Sequence, residues 1–222
     1  MTRVVVAGGH GKIALIFERL LSQRGDSVAG FIRNPAHAAD LENAGAEAVV
    51  VDLEQASDDE VAAHLRGADA VVFAAGAGPG SGAARKETVD RDAAILLADA
   101  AELAKVGRYV MISSMGADAG APDDAGDPVF VAYLRAKGAA DDNVRARTAL
   151  DSTIVRPGLL TNDPGTGRVK IAGQTGRGSI PREDVAAVLI AVLDTPDTGG
   201  QTFEVISGDT PITDFFTTSS RE

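Results

Sequence analysis

The sequence predicts an α/β protein: a doubly wound parallel sheet in one domain, with a small carboxyl-terminal extension. Three observations predict it. Short apolar, β-branched runs alternate with amphipathic stretches of helical period along most of the chain; the first run opens at once into a glycine cluster that starts a helix; and 222 residues with 45% apolar content bury one full core but not two.

The elements follow in order. Residues 4–7 read as a buried strand, and residues 12–24 as a helix with Ile13, Ile16, Phe17, Leu20 and Leu21 on one face. Strands are then expected at 27–32, 48–51, 70–74, 109–113, 153–155 and 202–206. Helices are expected between them at 35–44, 58–66, 87–105, 129–149 and 182–193, the last opening after Pro181, a residue suited to a helix's first turn. Residues 76–82 and 116–128, rich in Gly, Ala, Asp and Pro, read as loops that follow strands at the sheet edge where ligands of such folds bind. The tail after Thr213 reads as partly frayed.

Composition narrows the chemistry. Twenty-one basic against thirty-two acidic residues leave a net charge of −11, so the surface repels polyanions, no nucleic-acid partner is expected, and any bound phosphate needs a local device. Cysteine is absent, which removes disulfides, thiolate ligands and thiol nucleophiles and fits a reducing compartment. His10, His37 and His64 lie far apart in sequence without carboxylates at ligand spacing, so no metal is expected. The amino-terminal apolar run is too short for a signal peptide or a membrane span, and the expectation is a cytoplasmic protein without a membrane partner.

Directly after the first strand stands Gly8-Gly9-His10-Gly11-Lys12-Ile13-Ala14. From Gly9 the spacing is G-x-G-x-x-A and from Gly8 it is G-x-x-G-x-x-A; both put small residues where a pyrophosphate approaches the backbone and the helix N–H groups face it. A Walker A loop is excluded because Val6 and Ile13 occupy the positions that need glycine and Ser or Thr. The expected ligand is a dinucleotide. An NAD site places Asp or Glu at the end of the second strand, whereas this chain has Phe31-Ile32-Arg33-Asn34; Arg33 can pair with a ribose 2′-phosphate, so NADP(H) is preferred over NAD(H). Asp52-Leu53 is placed to flank the adenine, although Asp52 equally suits the cap of a turn.

Tyr133 and Lys137 stand four apart in an expected helix and share one face. A lysine ammonium beside a phenol favours the phenolate, which suits proton transfer near neutral pH. Ser113 and Ser114 follow the fifth strand beside the expected cofactor, and Ser114 can hydrogen-bond a substrate carbonyl. There is no G-x-S-x-G elbow and no histidine placed to serve a serine, so a hydrolase triad is not expected.

Taken together, GGHGKIA, Arg33 after strand two, Ala75-Gly76 after strand four, Ser113-Ser114, YLRAK from Tyr133 and TIVRPG from Thr153 resemble the short-chain dehydrogenase/reductase superfamily. GTGRV at 165–169 and SIPREDVA at 179–186 are similar to its atypical NAD(P)H-binding branch, related to epimerases and dehydratases, and the likeness spans residues 3–208. It implies a Rossmann-type fold, with residues 1–156 as the dinucleotide-binding core and 157–222 as substrate-side segments and the last strand. It further implies Gly8, Gly11 and Ala14 at the pyrophosphate, Arg33 at the 2′-phosphate, Gly76 at the centre of the cofactor and Pro157-Gly158 at the nicotinamide. Ser114, Tyr133 and Lys137 are the catalytic set it implies. Two departures stand out: Val89-Asp90-Arg91-Asp92 replaces the asparagine that supports a proton relay in typical members, and little chain remains after Pro157 for a sugar-nucleotide lobe. The expected substrate is a small molecule, bound by the loops 116–128 and 162–178. The leading expectation is an NADPH-dependent reductase; a non-catalytic NADPH sensor and an epimerase or dehydratase holding NAD+ are the alternatives. The sequence leaves the oligomeric state open.

Overall fold

The computed structural model describes residues 1–78 and 80–218. Six parallel strands, β1 (Arg3–Ala7), β2 (Ser27–Ile32), β3 (Glu47–Val50), β4 (Ala70–Phe73), β5 (Arg108–Ile112) and β6 (Asp151–Pro157), form the body of the sheet. A short strand β7 (Leu159–Thr161) pairs in parallel with β9 (Ser179–Pro181) apart from it, while β8 (Arg168–Ala172), β10 (Thr202–Ser207) and β11 (Thr210–Pro211) extend the main sheet. The nine strands run β11-β8-β10-β6-β5-β4-β1-β2-β3, so the chain reverses direction between β1 and β4. Both segments of the chain, before and after residue 157, contribute to this one sheet.

The strands are valine-rich because both faces are covered. In β1, Val4 and Val6 point into one core and Val5 and Ala7 into the other, all fully buried. Helices α1 (Lys12–Gln23) and α7 (Arg182–Leu193) cover the first core, with α2 (Ala38–Asn43) adding Leu41; α3 (Asp58–Leu65), α5 (Ala93–Ala104) and α6 (Pro128–Arg145) cover the second. Phe17 and Leu21 anchor α1, at about 1.5–3 kcal/mol each. That exceeds what a cap supplies, about 1 kcal/mol, and α1 has none: its first turn holds no acidic residue and Gly11 offers no side chain, whereas Ser57 caps α3 and Asp127 caps α6. The N–H groups opening α1 thus remain available to a ligand.

Four expectations change. The helix expected at 87–105 begins earlier, as one turn α4 (Ala83–Arg85), winds wider as a π-helix over Lys86–Asp92, and turns Lys86, Val89 and Asp90 inward before α5 continues it. Segment 162–178, expected as a substrate loop, contains β8, an antiparallel strand between β10 and the two-residue edge strand β11, whose exposed Arg168 and Lys170 flank a buried Val169 and so give no continuous apolar run. The sheet is therefore not wholly parallel. The tail forms α8 (Ile212–Thr218), held by Phe216 against Phe203; residues 219–222 lie outside the described residues. Among the described residues no helix is long and apolar enough to cross a membrane.

Candidate functional site

Where the chain reverses between β1 and β4, the carboxyl ends of β1, β2 and β4 enclose a cleft of about 310 Å³. Gly8, His10 and Gly11 form one wall, Phe31 to Asn34 with His37 another, and Ala74, Ala75 and Gly76 the third. The glycines are required by shape. Gly8 has φ +84°, and a Cβ there would lie 2.6 Å from the Ala75 Cα; Gly9, buried below the wall, abuts Gly30 of β2 and donates its N–H to the Phe31 carbonyl at 3.0 Å. Gly11 closes the turn onto the Gly8 carbonyl at 2.9 Å and accepts the first helical bond from Leu15. Lys12 is exposed at the start of α1, and Ile13 and Ala14 face the core.

Directly beneath Gly9 and Gly30 lies Glu18, with no exposed surface and no protein hydrogen bond to either carboxyl oxygen. Burial pushes its pKa up to about 8.

Arg33 stands on the rim, and no carboxylate replaces it at the end of β2. Its Nη1 donates to Glu54 Oε2 at 2.8 Å, the oxygen that Arg85 Nη2 reaches at 2.6 Å, while Thr88 Oγ1 donates to the other oxygen. The Arg85 hydrogen bond, followed by that of Thr88 and both guanidinium charges, holds the Glu54 carboxyl below the usual carboxylate range despite partial burial. Asp52 accepts from the Glu54 N–H at 3.0 Å, the turn-capping role, and Leu53 packs on the second core. The histidines correct an expectation: His10 and His37, distant in sequence, stack with centroids 3.6 Å apart, and His10 Nε2 is 2.7 Å from Asp40 Oδ2. Among the described residues no cluster of three or more His, Cys, Asp or Glu fit for a metal occurs.

A second group lies along the carboxyl edge of β4 to β6. Lys137 on α6 is buried; its Nζ donates to the Ile112 carbonyl at 3.2 Å, lies 3.4 Å from Asp90 Oδ1 and sits over the Phe73 ring. Asp90 also accepts from the Ala77 N–H at 3.2 Å, which ties this group to the Gly76 wall of the cleft. Tyr133, one turn before Lys137, is half-buried with Phe130 on one side. Ser113 is buried and Ser114 half-buried, on a segment held to β6 by Ser113 N–H to the Val155 carbonyl and Met115 N–H to the Pro157 carbonyl; Ser114 Oγ donates to the Met115 carbonyl at 3.2 Å. Gly158 fits because a Cβ would strike the Gly178 carbonyl oxygen at 2.4 Å.

The fold thus brings Gly8, His10, Gly11, Arg33, Ala75 and Gly76 to one cleft, and places Ser113, Ser114, Tyr133, Lys137, Pro157 and Gly158 beyond its Gly76 end. Sequence reading missed His37, Glu54, Arg85 and Lys86. Only Glu54 carried a signal, two residues after Asp52 in an Asx turn.

The fold and this glycine-walled cleft define a Rossmann-type nucleotide-binding protein. Residues 8–196 match the family described as NAD(P)H-binding, and the chain belongs to that family. It is 38% identical over 212 residues to YhfK of Bacillus subtilis (strain 168), described as an uncharacterised sugar epimerase, with 95% of this chain and 96% of that protein covered. The structure of a Bacillus halodurans protein described as a candidate NAD-dependent epimerase/dehydratase superposes with a TM-score of 0.89 at 38% identity, covering 98% of this chain and 100% of that one. The oxidoreductase ylbE from Lactococcus lactis follows at a TM-score of 0.84 and 25% identity, covering 100% and 98%. The short carboxyl-terminal segment is shared with these relatives, so chain length does not separate reductase from epimerase.

Proposed function

We propose that the chain is a cytoplasmic NADPH-dependent reductase of a small carbonyl or similar acceptor. The observation that carries this reading is Arg33 on the rim of the glycine-walled cleft, where an NAD-selective chain presents a carboxylate. Arg33 shares Glu54 with Arg85 and is itself exposed on the rim, so its guanidinium can turn part of its donor fork to a 2′-phosphate. Gly8, Gly11 and the uncapped start of α1 fit a pyrophosphate, whose charge they meet with N–H groups.

A nicotinamide dinucleotide held there supplies hydride. Tyr133 gives the proton that the reduced acceptor needs, from its hydroxyl oxygen. Ser114 turns its hydroxyl from the Met115 carbonyl to the acceptor oxygen and orients it. Lys137, fixed by Asp90 and Ile112, braces the edge on which these groups and Pro157-Gly158 stand.

Calorimetric titration of cofactor-free protein with NADPH and NADH tests the reading. NADPH should bind at least tenfold tighter, and Arg33→Met should erase that margin while sparing NADH; equal affinities in the wild type would remove the clamp and favour an NAD-linked epimerase. Tyr133→Phe should abolish turnover on an acceptor panel and keep cofactor binding. A second reading, a dinucleotide sensor without turnover, draws on Lys137, whose ammonium is already committed to Asp90 and Ile112. A wild-type protein that binds NADPH and reduces nothing on the panel would favour it.

A further inference from the structure

The π-helical segment carries a lysine that the reading above does not use. Lys86 is nearly buried and donates from Nζ to the Gly78 carbonyl at 3.0 Å. The same ammonium lies over the Tyr133 ring, 5.3 Å from its centroid, within the range in which a cation is attracted to an aromatic face. Lys137, which shares a helix face with Tyr133, is differently placed. Its side chain and that of Asp90 are 4% and 1% exposed and 3.4 Å apart, so the carboxylate offsets much of the ammonium's field. Among the described residues Lys86 forms no ion pair with a carboxylate, and its ammonium lies directly against the ring of Tyr133.

We propose that Lys86 is a positioning residue for Tyr133: seated on the ring and anchored to the loop at Gly78, its ammonium holds the phenol in place and favours the phenolate, the task that the Lys137–Asp90 pair leaves undone. The charged groups around the ring are then Lys86 from the π-helical segment, Lys137 one turn along α6, and Asp90, which neutralises Lys137. The proposal rests on Tyr133 as the proton donor, yet its physical content is measurable without turnover.

The chain has two tyrosines and no tryptophan. Tyr109 is fully buried with its hydroxyl bonded to the Ala94 carbonyl at 3.0 Å, and burial pushes it far above the ordinary phenol range. Near-ultraviolet tyrosinate absorption after a rapid alkaline jump therefore reports Tyr133, and its loss in Tyr133→Phe confirms the assignment. In cofactor-free protein, Lys86→Met should displace the rise of this band upward by roughly half a unit to one pH unit, as expected for a charge 5.3 Å from the ring centroid in a partly wet site. Lys86→Arg, which keeps the charge, should stay near the wild type, a distinction that a merely structural lysine would not show. Asp90→Asn, which releases the field of Lys137, should move the rise downward. Lys86→Gln repeats the first arm should methionine unfold the protein, with circular dichroism confirming the fold. Wild type and neutral variant rising at the same pH would overturn the proposal. A displaced band in a protein that reduces nothing on the acceptor panel would leave Lys86 as assigned and sink the reductase reading instead.

Discussion

Glu18 should make this protein lose stability as pH rises, opposite to the usual behaviour of a paired carboxylate. Its side chain is fully buried beneath Gly9 and Gly30 without a protein hydrogen bond, and burial lifts its pKa from the ordinary 4.5 to about 8. The sign follows from proton counts: between these values the folded state holds a proton that the unfolded chain has released, so unfolding is favoured as pH increases. Each unit is worth about 1.4 kcal/mol, and between pH 5 and pH 8 the loss sums to about 3–4 kcal/mol. That is a large part of the ~5–15 kcal/mol that holds a typical domain together. Urea denaturation at pH 5, 6, 7 and 8 for the wild type and Glu18→Gln measures it. The glutamine has no proton to lose, so its stability relative to the wild type should climb by those ~3–4 kcal/mol across the series. Parallel profiles, with a constant gap between the two proteins, would refute the burial argument.

The other predictions test the supports of the site. Arg156 holds the wholly buried Asp141 through Nη2 at 2.7 Å and Nε at 2.8 Å; Arg156→Met strands that carboxylate and should cost about 3–5 kcal/mol at pH 8 in chemical denaturation. Burial already pushes the Asp141 pKa up, so this cost should shrink on acidification as the carboxyl takes a proton, and a further Asp141→Asn change should restore most of it. Tyr109→Phe removes a buried hydrogen bond to Ala94 and should lower stability by about 1–2 kcal/mol while leaving the tyrosinate signal of Tyr133 intact. Gly8→Ala meets both a φ of +84° and the Ala75 backbone at 2.6 Å, so it should cost about 2–4 kcal/mol in thermal denaturation. Gly11→Ala meets the Gly8 carbonyl at 3.1 Å and nothing else closer than 3.7 Å, in ordinary backbone conformation, and should fold nearly as well, yet bind NADPH at least tenfold more weakly because the methyl would enter the space proposed for the pyrophosphate.

What was legible in the sequence was what depends on local pattern. Val4 to Ala7 and Phe17 with Leu21 declare a buried strand and a one-sided helix, and Gly8 to Gly11 declare the turn between them. The π-helical turn at Lys86–Asp92 was not legible, because the wider winding is set by what Lys86, Val89 and Asp90 face and not by their spacing. Strand β8 escaped because it is covered on one face only: exposed Arg168 and Lys170 break the apolar run that a strand buried on both faces would show. At the site, residues tied to a motif were legible and residues tied to it through space were not. Nothing local announces that Arg85 reaches the carboxylate holding Arg33 or that His37 stacks on His10.

Those contacts through space answer a question that composition raises. On the proposed reading, a chain with a net charge of −11 has to hold a polyanionic cofactor at one edge, and cations gather there around Glu54 and Asp90. Arg33 and Arg85 meet at Glu54 toward the proposed adenosine end, while toward the proposed catalytic end Lys137 pairs with Asp90 and Lys86 lies on the Tyr133 ring. Glu54 and Asp90 fix their cations in place, where like charges alone would repel one another. Asp141, one helical turn past Lys137, is wholly buried and held by Arg156. Cations at two points along one sheet edge, in a chain that is acidic overall, would give a dinucleotide held as proposed an orientation before any hydrogen bond to it forms.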